Sequence, residues 1–214
     1  MRSFLTIGPI RQQVAIAGWV TDAETGRALG GVQVVISAGP PAFTSQLPLQ
    51  AARYGADWEM MATRADRTRT APDGHYHFTD LPAGQYTLTA SLPGTGSRYG
   101  TADAKVRVSA SRSRSDPDKI VAVAADIALP PTVLKGQITS ADAKQPLFLV
   151  EVAIGGSGER VFSDAQGNYR LTALEAGART VLISARGYQA ASNAVQFRSP
   201  GEAQRLDVAL EPVR

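Results

Sequence analysis

The sequence predicts an all-β chain built as two tandem Greek-key sandwiches of about seven strands each. Three observations carry this reading. The chain repeats itself once, apolar residues alternate with period two inside each copy, and turn residues recur at short intervals. Alternating strands without intervening helices exclude a parallel α/β sheet.

The repeat is read from fixed spacings. Gly18 and Gly136 lie 118 positions apart, as do Val32 and Val150, Val34 and Val152, and Ile36 and Ile154. A second block runs at 93 positions, pairing Gly74 with Gly167, Tyr76 with Tyr169, Leu81 with Leu174 and Gly84 with Gly177. The closing segments match at 81 positions, Asp126-Ile127-Ala128-Leu129 against Asp207-Val208-Ala209-Leu210. The drop from 118 to 93 places an insertion of about 25 residues in the first copy, over roughly 38–66.

In the first copy Val14, Ile16, Gly18 and Val20 are expected to share one face, then Val32, Val34 and Ile36. Asp73-Gly74 marks a tight turn before Tyr76 and Phe78, and Pro82-Ala83-Gly84 a corner before Tyr86, Leu88 and Ala90. The second copy follows suit with Leu134 and Ile138, Val150 to Ile154, Tyr169 and Leu171, and Val181 and Ile183. The expected domains are therefore 14–130 and 133–214, after an N-terminal extension over 1–13. Pro130-Pro131 should act as a short, stiff linker between them.

These motifs carry a family resemblance. Gly18-Trp19-Val20-Thr21-Asp22-Ala23-Glu24-Thr25-Gly26 followed by Leu29-Gly30-Gly31-Val32 resembles the opening of a carboxypeptidase-regulatory-like, transthyretin-like domain. Pro72-Asp73-Gly74-His75-Tyr76-His77-Phe78 with Leu81-Pro82-Ala83-Gly84 resembles its central hairpin, and Ser163 to Tyr169 with Leu174 to Gly177 repeats it more loosely. The resemblance implies a prealbumin-like sandwich and an accessory, non-catalytic role. The insertion ending in Trp58, then Asp66-Arg67-Thr68-Arg69-Thr70, is also similar to proteins of phage-tail-like contractile injection systems. That likeness implies protein partners in a larger assembly.

Composition narrows the function classes. A net charge of +3 is small for 214 residues, and the densest basic run, with Arg112, Arg114 and Lys119 among serines, reads as a solvated loop; no nucleic-acid partner is expected. Cysteine is absent, so disulfides and thiolate chemistry play no part. No long apolar run spans a membrane, so no insertion is expected. The first ten residues lack a signal-peptide core, so cytoplasmic synthesis, and a particle assembled there, are the expectation.

Catalytic chemistry finds little support. His75 and His77, two apart on a strand, share a face as two metal ligands would, but the chain has no other histidine and no cysteine, so neither metal nor cofactor is expected. No histidine stands by a nucleophile on a strained turn, and Gly155-Gly156-Ser157-Gly158 is not followed by the Lys-Ser/Thr of a phosphate loop. Lys135 should point outward, away from the core position a Lys–Asn isopeptide bond needs.

The aromatics carry the remaining signal. Trp19 should face outward, and the insertion offers a stripe at helical spacing, Leu47, Ala51, Tyr54, Trp58 and Met61. Ser45 is expected to cap this helix, Pro48 suits its first turn and Gly55 weakens its middle. Two outcomes are open: the helix packs on the Trp19 sheet as a satellite core, or Trp19, Tyr54, Trp58 and Met61 form an interface. The expected function is a structural or interaction module that binds protein subunits. A carbohydrate-binding module stacking sugars on the same aromatics is the alternative.

Overall fold

The computed structural model describes residues 13–109 and 122–213. Of the N-terminal extension only Gln13 falls within them, and the basic run around Arg112, Arg114 and Lys119 lies outside. In the first copy the strands are β1 (Val14–Asp22), β2 (Gln33–Ala38), β3 (Arg67–Arg69), β4 (His75–Thr79), β5 (Gly84–Ser91), β6 (Ala102–Val108), β7 (Val123–Ala124) and β8 (Ile127–Leu129). In the second they are β9 (Val133–Ser140), β10 (Glu151–Ile154), β11 (Arg160–Phe162), β12 (Asn168–Leu171), β13 (Gly177–Ser184), β14 (Ala191–Phe197), β15 (Ala203–Arg205) and β16 (Val208–Leu210).

Each copy has two four-stranded sheets in the same order. The first copy pairs β4-β1-β7 with β8 also on β1, and β3-β2-β5-β6; the second pairs β12-β9-β15 with β16 also on β9, and β11-β10-β13-β14. The described strands number eight per copy rather than about seven, because the closing strand is broken in two each time.

Alternation explains the cores. In the first copy Ile16, Val20, Val34, Tyr76, Phe78, Tyr86 and Leu88 are buried. In the second, Leu134, Ile138, Val152, Tyr169, Val181, Ile183, Phe197 and Leu210 do the same work. Burying each such side chain contributes about 1.5–3 kcal/mol. One expected core residue fails: Val14 is exposed, because a register shift between Val14 and Ile16 turns it outward and puts Ala15 inside. A slip of one residue exchanges faces.

The break in the closing strand explains why Gly, Tyr and Asp recur at fixed spacings. In the first copy the Ala125 carbonyl points into the space beside Gly18, where an added Cβ would lie 2.1 Å from its oxygen. The same carbonyl accepts the Tyr76 hydroxyl at 2.5 Å. The Asp126 carboxylate accepts the Trp19 N–H at 3.0 Å, satisfying a strand donor that the break deprives of a backbone acceptor. In the second copy Leu206 O stands 1.8 Å from a Cβ on Gly136, Tyr169 donates to it at 2.7 Å, and Asp207 accepts the Gln137 N–H at 2.8 Å. A buried backbone carbonyl is thus plugged into each first strand and held by a phenol.

Burial, reinforced by the nearby Asp207 charge, pushes the Tyr169 hydroxyl up to about 12; burial and then Asp126 push Tyr76 up as well. A folded-state value above the unfolded value of about 10 gives stability that is complete below pH 10 and fades as pH rises through the folded value. Each tyrosine should cost about 2 kcal/mol of stability by about pH 11.5. Urea titrations across this range should show a smaller loss in a Tyr76→Phe, Tyr169→Phe chain. An equal loss in both would remove the tyrosines as its cause.

The described residues fall into two compact units, those within 13–20, 29–89 and 103–127 in one, and those within 21–28, 90–102 and 128–213 in the other. Within the second unit the segment expected as a linker is packed. Thr132 is fully buried, its N–H donates to Arg98 O at 2.8 Å, and its hydroxyl accepts the Gly201 N–H at 2.8 Å. Pro131 forms a bridge with Tyr99.

Candidate interaction surface

Residues 39–66 separate β2 from β3, where only 155–159 separate β10 from β11. The insertion holds three short helices, α1 (Pro41–Thr44), α2 (Leu47–Tyr54) and α3 (Asp57–Met60), rather than one continuous helix. Ser45 ends α1 instead of capping α2, whose N-cap is Gln46 without a side-chain cap. Gly55, at φ 59°, closes α2 and breaks the expected stripe.

Two aromatics fix the insertion. Phe43 is buried and packs edge-on against Tyr86 of β5, with ring centroids 5.6 Å apart. Gly39 makes room for this contact, since a Cβ there would lie 2.9 Å from Phe43. Trp58 is only 7% exposed. Tyr54 stacks on its ring at 6.1 Å, and the Arg64 guanidinium lies 4.8 Å from its centre. Arg64 also forks onto Asp66 at 2.7 and 3.2 Å and donates to Trp58 O at 3.1 Å. Arg67 donates to the carbonyls of Glu59, at 2.8 Å, and Met61. A bidentate, charge-assisted pair over an indole is a staple.

The four expected interface residues therefore separate. Trp58 is an internal anchor, and Met61 is partly buried beside the Arg67 contact. Tyr54 is 45% exposed, and elsewhere on the insertion Leu49 and Met60 stand at 72% and 81%. Trp19 lies on the outer face of the other sheet at 51% exposure, with His75 edge-on at 5.3 Å. The insertion docks through Phe43 on Tyr86, so the cover expected for Trp19 is not supplied by it. Phe43 and Arg64 were not legible as anchors. The first sits on a separate helical turn outside the stripe, and the second acts only through its tertiary neighbours.

Other sites stay plain. His75 and His77 face outward with ring centroids 6.2 Å apart, and no group of three His, Cys, Asp or Glu able to hold a metal occurs among the described residues. Lys135 is exposed. Among the described residues no helix is long and apolar enough to cross a membrane.

Two Greek-key sandwiches of one topology, one with a helical graft, define a class of tandem β-modules. The model of the carboxypeptidase regulatory-like domain matches residues 15–116, and that of the CarboxypepD_reg-like domain matches residues 134–212. The chain therefore carries two tandem carboxypeptidase regulatory-like domains. No curated protein matches it. Among solved structures it is similar to the Bacillus anthracis TIE protein, at 16% identity and a TM-score of 0.38, over 94% of this chain and 34% of that one. It is similar to the shaft pilin SpaA of Lactobacillus rhamnosus GG, at 14% identity and a TM-score of 0.41, over 95% and 99% of the two chains. A third likeness is to GBS52, the minor pilin of Streptococcus agalactiae, at 15% identity and a TM-score of 0.31, over 93% and 96%. The chain spans well under two thirds of the TIE protein.

Proposed function

We propose that the chain is a non-catalytic structural module whose first sandwich engages a protein partner through its insertion. The reading extends to an accessory subunit of a phage-tail-like contractile injection particle assembled in the cytoplasm. The observation that carries the module reading is the insertion itself. It is anchored inward by Phe43 and Trp58 while holding Leu49, Tyr54 and Met60 outward. The second copy closes the same sheet with a five-residue turn over 155–159, so the sandwich does not need these residues. Insertions on rigid sandwiches are where binding concentrates. The particle reading is supported by the sequence likeness of the insertion ending in Trp58 and of Asp66-Arg67-Thr68-Arg69-Thr70.

A Leu49→Ser, Met60→Ser chain changes only exposed positions and leaves Tyr54 stacked on the Trp58 anchor, so it should keep its stability within about 1 kcal/mol of the parent. It should lose co-sedimentation with its assembly when expressed beside the neighbouring genes. Retained co-sedimentation would refute the insertion's role. Carbohydrate binding is a second reading, favoured by the half-exposed Trp19 with His75 beside it. It requires a saturable change in Trp fluorescence with polysaccharide that Trp19→Ala abolishes.

A further inference from the structure

The two copies share their buried residues and differ on their surfaces, so each is a control for the other. On the outer face of β12-β9-β15, Arg170 pairs in register with Lys135, and Lys135 with Arg205. Three cations therefore stand side by side on three neighbouring strands, spaced by the interstrand distance of about 4.8 Å. Like charges directly opposite one another oppose the pairing. The fold does not require them. The same register in the first copy brings together His77, Ala17 and Ala124.

Counter-charges cover only the ends of the row. Arg170 is paired with Glu24 of the same unit, and Arg205 with Asp207 at 2.8 Å. The Lys135 ammonium has no ion pair or hydrogen bond among the described residues. These cations line a groove of about 470 Å³ together with Phe162 and Asp164. Asp164 is occupied in its own turn, where it accepts the N–H groups of Gln166 at 2.9 Å and Asn168 at 2.8 Å.

The groove has an apolar side. Phe162 lines it and is 52% exposed; the Leu149 N–H bonds to Ser163 O, which ties the segment with the exposed Phe148 (62%) and Leu149 (59%) to the strand end after Phe162, outside the groove lining. Leu149 has φ 56°, a left-handed conformation that bulky side chains avoid; its counterpart in the first copy is Gly31, at φ 76°. Phe148 replaces Gly30, and Phe162 replaces Arg69. A strained leucine and two exposed phenylalanines have therefore been placed where the sister copy uses glycine and arginine, beside an uncompensated cation.

We propose that this groove binds an acidic, partly apolar polypeptide segment of a protein partner, its carboxylates over Arg170, Lys135 and Arg205 and an apolar side chain on Phe162. The charge row calls for a string of anions rather than one compact ion. The exposed Phe162 in the groove calls for hydrocarbon, and aromatic-plus-Arg surfaces of this kind are what protein interfaces concentrate. The proposal rests on the reading of the chain as an interaction module and gives that module a second contact, distinct from the insertion.

The test is fluorescence anisotropy at low salt with a short labelled peptide of alternating glutamate and leucine. The full chain should bind it saturably. Lys135→Glu should weaken binding about tenfold or more, Phe162→Ser should also weaken it, and Lys105→Glu, an exposed reversal in the first copy, should leave it unchanged. A peptide with serine for leucine should bind less well. No binding, or equal loss with Lys105→Glu, would overturn the proposal. Tighter binding of polygalacturonate at the same residues would assign the groove to a saccharide instead. A Lys135→Glu chain that loses peptide binding as expected yet still co-sediments with its assembly would sink the groove as a partner contact while leaving the insertion reading intact.

Discussion

A Gly136→Ala chain is expected to lose the second sandwich. The added methyl would stand 1.8 Å from Leu206 O and 2.6 Å from its carbonyl carbon, and the obstacle is backbone rather than a flexible side chain. That carbonyl cannot simply retreat. Its oxygen is held by the Tyr169 hydroxyl, the Leu206 N–H bonds to Lys135 O, and Asp207 on its other side holds the Gln137 N–H. Moving it breaks all three contacts, so the cost should be about 3–5 kcal/mol, a large share of the stability of a small domain. Gly18→Ala should act in the same sense on the first sandwich, with a Cβ 2.1 Å from Ala125 O. Gly158→Ala is the control, because nothing lies within 4 Å of a Cβ there. Denaturant midpoints measured for the three variants should fall for the first two only. A Gly136→Ala chain as stable as Gly158→Ala would show that the carbonyl plug is not what this glycine serves.

Trp58→Ala should release the insertion without unfolding the sandwiches. The indole is covered by Tyr54 on one side and Arg64 on the other, and removing a buried tryptophan costs about 3–5 kcal/mol. The loss falls on short helices with little else to hold them, since no residue of α2 is buried. Local opening is therefore cheaper than global unfolding. Brief trypsin treatment should nick the variant at Arg53 or Arg64 while the remaining chain keeps its melting transition. Arg64→Ala should give the same cleavage more weakly. It removes the cation over the ring and leaves Asp66, only 13% exposed in its side chain, without its partner. Wild-type resistance in the Trp58→Ala chain would mean that Phe43 alone anchors the insertion.

The sandwiches were legible because burial in a sheet is written with period two and because the chain writes it twice. Tyr76 and Tyr169, or Val34 and Val152, could be matched and turned inward from spacing alone. Val14 could not, since a bulge is a backbone event and leaves the alternation intact. The role of Gly18 and Gly136 was also hidden. Their partner is the carbonyl of Ala125 or Leu206, and the identity of those residues carries no message. In the insertion the helical stripe pointed to the right segment but left open whether Trp58 faces inward or outward. Gly55 ends α2, and only the fold reveals that Arg64 returns over the indole. Lys135, Arg170 and Arg205 are far apart in sequence and become neighbours only through strand register. The signal that finds them is the comparison of outward positions between the copies, lysine and two arginines against Ala17, His77 and Ala124.

The broken closing strand also governs the order in which this protein can be made. In each copy the last strands lie parallel to the first, Val123 beside Ile16 and Arg205 beside Lys135. A ribosome therefore delivers β1 long before β7 and β8 exist. At about 5–20 residues per second, that interval is on the order of ten seconds. Through all of it one edge of the nascent strand is open, and Gly18 faces an empty socket. Such late, distant pairing slows folding and leaves an unpaired edge in reach of other chains. The second copy has a shorter wait, because its first and last strands are closer in sequence. Translation rate and chaperone supply should thus limit the yield of the first sandwich more than that of the second, although both finish with the same carbonyl in the same place.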